Sequence, residues 1–272
     1  GPSSSHTMGP AFAAQQFLTE NPTADKIEVR LFGSLAKAGK GHGTDRALKE
    51  VLGDKCEVVF DTETTNLEKP FCYNIGYVIY DTETDQIVLK REFVIEQVWH
   101  NPMLFTTAYY ADKRELYVSR MKARKIVMDK FGYVCQQMIR DFKAYEIAFA
   151  YAFNSPFDTK VFEWNCEWFK CNNPFDNIEI LDICGCVHEF IAKTKSFQDF
   201  CERQERFTES GNYSTTAETL FQYLSGEIDF VEEHTALADS EIELEILKMC
   251  TYKGAEYGKA YKTCQSIVRK QV

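Results

Sequence analysis

Three apolar runs follow one another between residues 56 and 95, with only short polar breaks between them. The segments CEVVFDTET, CYNIGYVIYD and QIVLKREFVI have the length and the β-branched and aromatic content of strands. The break between the last two, residues 81–85, is a polar turn. The sequence therefore predicts a three-stranded antiparallel meander that begins near Cys56.

The rest of the chain alternates between helical and strand-like segments. A mostly helical stretch is predicted over 103–145, a buried strand over 147–153, a helix around 157–170 and a short strand over 178–183. Strands first, and then strands alternating with helices, indicate a mixed α/β sheet covered by helices.

Two carboxylates, Asp61 and Glu63, lie at the end of the first predicted strand. Residues two apart on a strand point to the same face, so both carboxylates can converge on one site. A polar turn after a strand is the alternative reading. The same tetrapeptide, DTET, recurs at 81–84, where a hairpin turn explains it completely. The motif alone is therefore weak evidence.

Two further acidic motifs follow in the chain. Asp158 comes after a buried strand and opens a helix, at the strand end where α/β folds place their sites. The alternative is that Asn154 and Asp158 only end a strand and cap a helix. His234 and Asp239 are five residues apart, which is a rotation of about 140° within a helix. If they share a site, His234 must come from the loop before the helix. A surface histidine beside a helix-start aspartate is the alternative.

Together the motifs Asp-x-Glu, Asn-x-x-Phe-Asp and His-x-Ala-x-x-Asp resemble, in this order, the DEDDh family of 3′→5′ exonucleases. The resemblance covers about residues 56–250, and the family includes proofreading exonucleases, ribonuclease T and oligoribonuclease. It implies a ribonuclease H-like α/β fold, a mixed five-stranded sheet of order 3-2-1-4-5 flanked by helices. It also implies hydrolysis of single-stranded DNA or RNA from the 3′ end to nucleoside 5′-monophosphates by a two-metal mechanism.

The same resemblance assigns roles to five residues. The carboxylates of Asp61, Glu63, Asp158 and Asp239 would hold two Mg²⁺ or Mn²⁺ ions, and His234 would be the general base. All-oxygen ligation suits these ions rather than zinc. A histidine can accept a proton near neutral pH.

Further positions are candidate substrate contacts: Thr64, Leu67, Asn154, Phe157, Arg120 and Arg124. For Phe157, a plain core role is the alternative. Arg120 and Arg124 belong to the basic segment RELYVSRMKARK, close to several aromatic residues. Basic and aromatic side chains together can guide a single strand by phosphate contacts and base stacking. A solvated helix face is the alternative.

Composition limits the class of protein. The net charge of −10 argues against a protein that coats nucleic acid by bulk charge. The chain contains no apolar run of about 18 residues and no secretion signal, so neither a membrane span nor export is expected. A cytoplasmic protein with free thiols is therefore predicted. The expected partner is the 3′ end of a single-stranded nucleic acid, and a polymerase or other replication partner is left open.

Several of the ten cysteines lie close together in the sequence: Cys166, Cys171, Cys184 and Cys186, with His188 nearby. Their C-x4-C and C-x-C-x-H spacings match no common zinc finger or ribbon. Buried free thiols are therefore expected.

Residues 1–54 differ in composition from the rest of the chain and are rich in small residues. Their Ser-His-Thr segment (residues 3–7) and Gly-His-Gly-Thr-Asp segment (residues 41–45) resemble the β domain of bacterial iron–sulfur L-serine dehydratases, over about residues 1–53. In that family the first segment helps to form a substrate-side loop.

The predicted domains are a serine dehydratase β-domain-like fragment, 1–54, and a DEDDh exonuclease domain, 55–272. The sequence has no four-cysteine pattern placed to hold an iron–sulfur cluster. Two alternatives to the exonuclease stay open: a non-catalytic nucleic-acid-binding module of the same fold, and a truncated L-serine dehydratase fragment.

Overall fold

The computed structural model describes residues 4–21, 29–35, 44, 56–105, 107–108 and 111–262. The chain divides into two compact units, Gly1–Lys55 and Cys56–Val272. In the first unit, helix α1 spans Ser4–Glu20. The resemblance to serine dehydratases implied a substrate-side loop at residues 3–7, whereas the structure has a helix from Ser4 onwards. The glycines of the Gly-His-Gly-Thr-Asp segment lie outside the described residues.

A mixed sheet organises the second unit, with the strand order β4-β3-β2-β1-β5-β6. The strands are β1 (Cys56–Thr64), β2 (Cys72–Asp81), β3 (Gln86–Ile95), β4 (Val127–Asp129), β5 (Phe149–Ala152) and β6 (Glu179–Asp182). The first three form the predicted antiparallel meander. Strand β5 runs parallel to β1, and β6 runs parallel to β5. The expected order of these five strands, and with it the ribonuclease H-like fold class, is confirmed.

The predicted count of five strands is wrong, because β4 adds a short parallel strand beside β3. This strand lies inside the stretch 103–145 that was expected to be mostly helical. Only three residues form it, too few for a period of two to become visible in the sequence.

Helices connect and cover the strands. They are α2 (Glu96–Trp99), α3 (Pro102–Phe105), α4 (Arg114–Lys122), α5 (Phe131–Ala144), α6 (Ser155–Phe169), α7 (Ile183–Val187), α8 (Lys195–Arg203), α9 (Ala217–Ser225) and α10 (Ala236–Tyr252). A 3-10 turn, Ala111–Lys113, precedes α4, and a π-helical turn, His188–Ala192, follows α7. Within the described residues, no helix is long and apolar enough to cross a membrane.

The two faces of the sheet bury two separate cores. Val58 and Phe60 pack into the core that includes residues of α5 and α6, whereas Val59 packs into the core that includes residues of α10. Side chains alternate between faces along a strand. Asp61 and Glu63 have the same parity as Val59, so they project to the side where α10 lies.

Candidate active site

Three carboxylates meet where β1 ends. One oxygen each of Asp61, Glu63 and Asp239 lies within 4.8 Å of the others. Asp239 is in the first turn of α10, and Glu63 and Asp239 are buried. The structure thus brings together carboxylates from the first and the last of the three sequence motifs.

Strand β2 fixes the start of α10 above β1. The buried amide of Asn74 accepts hydrogen bonds at Oδ1 from the Ala236 backbone N–H, at 2.8 Å, and from the Tyr117 hydroxyl, at 2.9 Å. A Cβ atom added at Gly76 would lie 2.1 Å from the Leu237 nitrogen, so only glycine permits this approach. Ser240 then donates to the Gly76 carbonyl at 3.1 Å. These contacts place Asp239 beside the end of β1.

The fourth carboxylate, Asp158, lies on the other side of the β1 backbone. Its Oδ1 accepts a 2.6 Å hydrogen bond from the hydroxyl of Thr62, the residue between Asp61 and Glu63. The helix that carries Asp158 starts after Asn154, whose left-handed backbone (φ 64°) turns the chain sharply out of β5. The Asn154 N–H donates to Asp182 at 3.0 Å, which ties this turn to the end of β6.

Burial raises the pKa of each of these four carboxyl groups. The pKa of Asp61 rises to about 7, that of Glu63 to about 9 and that of Asp239 to about 10, first through lost hydration and then through the neighbouring negative charges. The pKa of Asp158 is also raised, by burial and by Asp61. A site of this kind is stable as a set of anions only when positive charge compensates it.

His234 precedes α10, in the loop position that the five-residue spacing requires. Its backbone is left-handed (φ 54°), and its Nδ1 lies 3.7 Å from Oε2 of Glu232. Glu232, His234 and Asp239 form a second group of potential ligand atoms within 4.8 Å of one another. Burial lowers the pKa of His234, and the charge of Lys113 lowers it further, so the imidazole is neutral at neutral pH.

Three charged residues near the site were not singled out in the sequence. Burial raises the pKa of Glu232 to about 7, and burial also raises the pKa of Glu243, whose Oε2 accepts from the Phe153 N–H at 3.3 Å. Lys113 donates to the backbone carbonyl of Glu233 and lowers the pKa values of Glu63 and Asp239. No local pattern distinguishes these residues from surface charges, because tertiary contacts alone bring them to the site.

Arg120 is occupied within the protein. Its guanidinium contacts Glu233, the Thr235 hydroxyl at 3.2 Å and the buried Glu92 carboxylate at 3.7 Å. Arg120 therefore binds the two residues that flank His234. In this arrangement its guanidinium is not a free contact for a phosphate. Arg124 lies just beyond α4 and is exposed.

The remaining candidate substrate residues surround the ends of β1 and β5. The Leu67 side chain is 73% exposed, and its carbonyl accepts a hydrogen bond from Lys160 at 2.9 Å. Phe157 is half-buried against the core beside α6, Thr64 is half-buried, and Asn154 is exposed. Their contact with a substrate stays a prediction.

The donor set fits divalent cations. Oδ1 of Asp239 is buried and accepts no hydrogen bond from the residues that the structure describes. Carboxylate oxygens are the ligands that Mg²⁺ and Mn²⁺ prefer. Asp61, Glu63 and Asp239 can hold such an ion, and Asp158 lies across β1 from them, near enough for the charge of Asp61 to raise its pKa.

Comparison of the sequence with known proteins relates it to serine dehydratases. A family model described as serine dehydratase beta chain matches residues 1–118. The L-serine dehydratase of Mycobacterium bovis is 54% identical over 54 residues, which are 18% of this chain and 12% of that protein. L-serine dehydratase 2 of Escherichia coli is 46% identical over 145 residues, 49% of this chain and 28% of that protein.

The chain thus spans 12% and 28% of the length of these two relatives. The family model extends past residue 53, where the resemblance was expected to end, and into the strands of the second unit.

Among solved structures, similarity is found to exonucleases. Exonuclease I of Escherichia coli in complex with a dA16 oligonucleotide has a TM-score of 0.47 and 13% identity, over 74% of this chain and 41% of that one. The nuclease domain of 3′hExo, a DEDDh family member bound to rAMP, has a TM-score of 0.45 and 14% identity, over 78% of this chain and 98% of that one. The fold class stated above follows from the strand order itself.

Proposed function

We propose that the second unit is a metal-dependent 3′→5′ exonuclease that hydrolyses single-stranded DNA or RNA to nucleoside 5′-monophosphates. One observation carries the proposal: Asp61, Glu63 and Asp239 converge on one point, with His234 on the loop beside them. A purely structural role gives no reason to bury so many like charges together, because each raises the cost of ionising its neighbours.

The four carboxylates of Asp61, Glu63, Asp158 and Asp239 would hold two Mg²⁺ or Mn²⁺ ions. When bound, these cations supply stabilisation of the negative charge that develops on a phosphodiester. Thr62 orients Asp158 through its 2.6 Å hydrogen bond. Lys113 adds a positive charge that favours the ionised forms of Glu63 and Asp239.

His234 is assigned the general base. A water molecule attacks the terminal phosphorus, its proton passes to the neutral imidazole, and the bond to the 3′ oxygen breaks. The released 3′ hydroxyl takes up a proton, so the products are a nucleoside 5′-monophosphate and a shortened strand. The lowered pKa of His234 keeps its lone pair available near neutral pH.

The test is a degradation time course on end-labelled single-stranded DNA and RNA with Mg²⁺, Mn²⁺ or EDTA. Glu63→Gln should abolish stepwise shortening from the 3′ end. The repeated tetrapeptide provides a matched control, because Glu83 occupies the same position in DTET at an exposed hairpin turn. Glu83→Gln should leave the rate unchanged.

Two outcomes would reject the proposal. Binding of single strands without any metal-dependent hydrolysis would indicate the non-catalytic module. Hydrolysis that Glu63→Gln does not reduce would place the activity outside this site.

A further inference from the structure

A third cluster of potential metal ligands, made of cysteines, lies outside the carboxylate site. The Sγ atoms of Cys135, Cys166 and Cys171 are all within 4.8 Å of one another. Cys135 is on α5, Cys166 is in the last turn of α6, and Cys171 follows that helix. The sequence grouped Cys166 and Cys171 with Cys184, Cys186 and His188, did not include Cys135, and predicted plain buried thiols. The third cysteine comes from a neighbouring helix 31 residues earlier in the chain.

The local backbone holds this arrangement. Helix α6 ends at Phe169, and the next residue, Lys170, caps it in a left-handed conformation (φ 55°). The Cys171 N–H then donates to the Cys166 carbonyl at 3.1 Å, which turns the chain back toward the helix. On the other side, Phe131 packs against Phe169 with ring centroids 5.5 Å apart, and so brings the start of α5 to the end of α6.

Burial and access suit a bound ion. Cys135 is 1% exposed and Cys166 is 7% exposed, whereas Cys171 is half-buried and gives a route from solvent. The thiolate is the metal-binding species of cysteine, and the three sulfurs already lie close enough together to share one ion.

We propose that Cys135, Cys166 and Cys171 form a trithiolate site for a soft divalent cation of the zinc type. Thiolates select zinc and softer ions over Mg²⁺. At a zinc–sulfur distance of about 2.3 Å, tetrahedral ligands are about 3.8 Å apart, so the sulfurs need to move by no more than roughly 1 Å. On binding, each thiol loses its proton to solvent as its sulfur–metal bond forms.

Three sulfurs leave the fourth tetrahedral position of the cation to a solvent molecule, and the role of the site would be structural because of its distance from the carboxylates. Asp158 and Cys166 are eight residues apart on α6, which is about 12 Å along the helix axis. A bound cation would join α5 to the end of α6, the helix whose first turn carries Asp158. It would stabilise the position of α6 without contact with the substrate.

The experiment uses the full chain, reduced, with excess Mg²⁺ to occupy the carboxylates. Cd²⁺ and Zn²⁺ are titrated in turn, with three readouts: cadmium–thiolate charge-transfer absorbance, metal bound per chain, and thiols that react with a disulfide dye. We expect about one tightly bound Cd²⁺ or Zn²⁺ per chain and protection of three thiols. The melting temperature should rise, because the ion binds only the folded chain.

Two variants test whether the Cd²⁺ signal comes from the three cysteines. Cys171→Ser should weaken Cd²⁺ binding by more than about 100-fold, since removal of an outer-shell partner alone costs 10–100-fold. Cys201→Ala, a buried cysteine outside the cluster, should retain the wild-type signal.

The proposal would be overturned if Cd²⁺ failed to protect the wild-type thiols from the disulfide dye. It would also be overturned if Cys171→Ser bound Cd²⁺ as tightly as the wild type. Formation of a disulfide between two of the three cysteines on mild oxidation, in a protein that takes up no Cd²⁺, would overturn it too. If Cys171→Ser fails to fold, the count of protected thiols in the wild type still decides. None of these readouts depends on nuclease activity.

Discussion

At the scale of single residues, the site concentrates acidic groups whose pKa values are raised first by burial and then by one another's negative charge. Asp61, Glu63 and Asp239 would ionise near pH 4 in an unfolded chain, whereas in the folded protein their pKa values are about 7, 9 and 10. The half-buried Glu232 and the buried Glu243 add further carboxyl groups with raised pKa values around them. The metal-free protein should therefore be sensitive to pH in a defined direction.

The first prediction concerns this pH dependence. A raised pKa in the folded state contributes stability that is complete below the unfolded pKa and is lost as pH rises through the folded value. In EDTA, the melting temperature should fall between about pH 4, where these groups ionise in the unfolded chain, and about pH 10, the highest of the folded values. Asp239→Asn should show a shallower fall, and the exposed control Glu83→Gln should follow the wild type. If the melting temperature of Asp239→Asn fell with pH as steeply as that of the wild type, the raised pKa of Asp239 would be contradicted.

The second prediction separates the base from the ligands. His234→Ala should lower kcat by about 10²- to 10⁴-fold, because it removes the proton acceptor. The acid limb of the pH–rate profile should lie below the ordinary histidine pKa, since burial lowers that of His234, and should flatten in the variant. Calorimetric Mn²⁺ titration should give nearly unchanged affinity. If His234→Ala lowered the Mn²⁺ affinity as much as Asp61→Asn does, His234 would be a metal ligand. Its position in one group with Glu232 and Asp239 permits that role.

At the scale of elements, the contact between β2 and α10 decides whether the site forms. Glycine at position 76 and the amide of Asn74 hold the helix start against the strand. Sequence patterns predicted both elements and the helical position of Asp239. They could not predict this contact, because it joins residues 162 positions apart and involves side chains with no recognisable motif.

The third prediction follows from that close approach. Gly76→Ala would place a Cβ atom 2.1 Å from the Leu237 nitrogen, a backbone atom that cannot turn aside. The free energy of unfolding, measured by urea denaturation, should fall by about 3 kcal/mol or more. Mn²⁺ affinity should fall too, because Asp239 moves with α10. At Gly132, an added Cβ meets Cys171 Cβ at 3.4 Å, so Gly132→Ala is the control and should change stability by less than about 1 kcal/mol.

The fourth prediction separates two arginines that the sequence grouped together. Arg120→Ala releases Glu233 and Thr235, which flank His234, and should lower kcat even on a dinucleotide. Arg124→Ala removes only an exposed charge, so it should raise KM for long strands and flatten its salt dependence. Steady-state kinetics on a dinucleotide and a long strand distinguish the two. Identical effects of both variants would refute this division of roles.

At the scale of the whole molecule, the chain consists of two compact units, and the serine dehydratase family model covers the first unit and extends into the second. The order of the five expected strands and the meeting of Asp61, Glu63 and Asp239 could be predicted, because alternation and motif position are local properties of the sequence. The edge strand β4, the Cys135 partner and the charges around His234 could not, since they depend on which distant segments meet. The nature of the first unit stays a prediction.

The fifth prediction tests whether the units act separately. A truncated chain that begins at Asp54 should retain nuclease activity within a few-fold, because the four carboxylates and His234 all lie in the second unit. Activity is measured on the same labelled strands, and circular dichroism checks that the truncated chain is folded. A folded but inactive truncated chain would show that the first unit completes the site.

Residue 234 has to meet two conflicting requirements, a left-handed backbone conformation and the side chain of the proposed general base. A left-handed φ of 54° costs glycine nothing, whereas histidine, although it is one of the residues found there more often than most, keeps a steric penalty from its Cβ atom. A laboratory selection for heat resistance alone would tend to replace this histidine and so discard the proposed base. A selection for turnover would retain it. Variants recovered under the two regimes should therefore diverge first at residue 234.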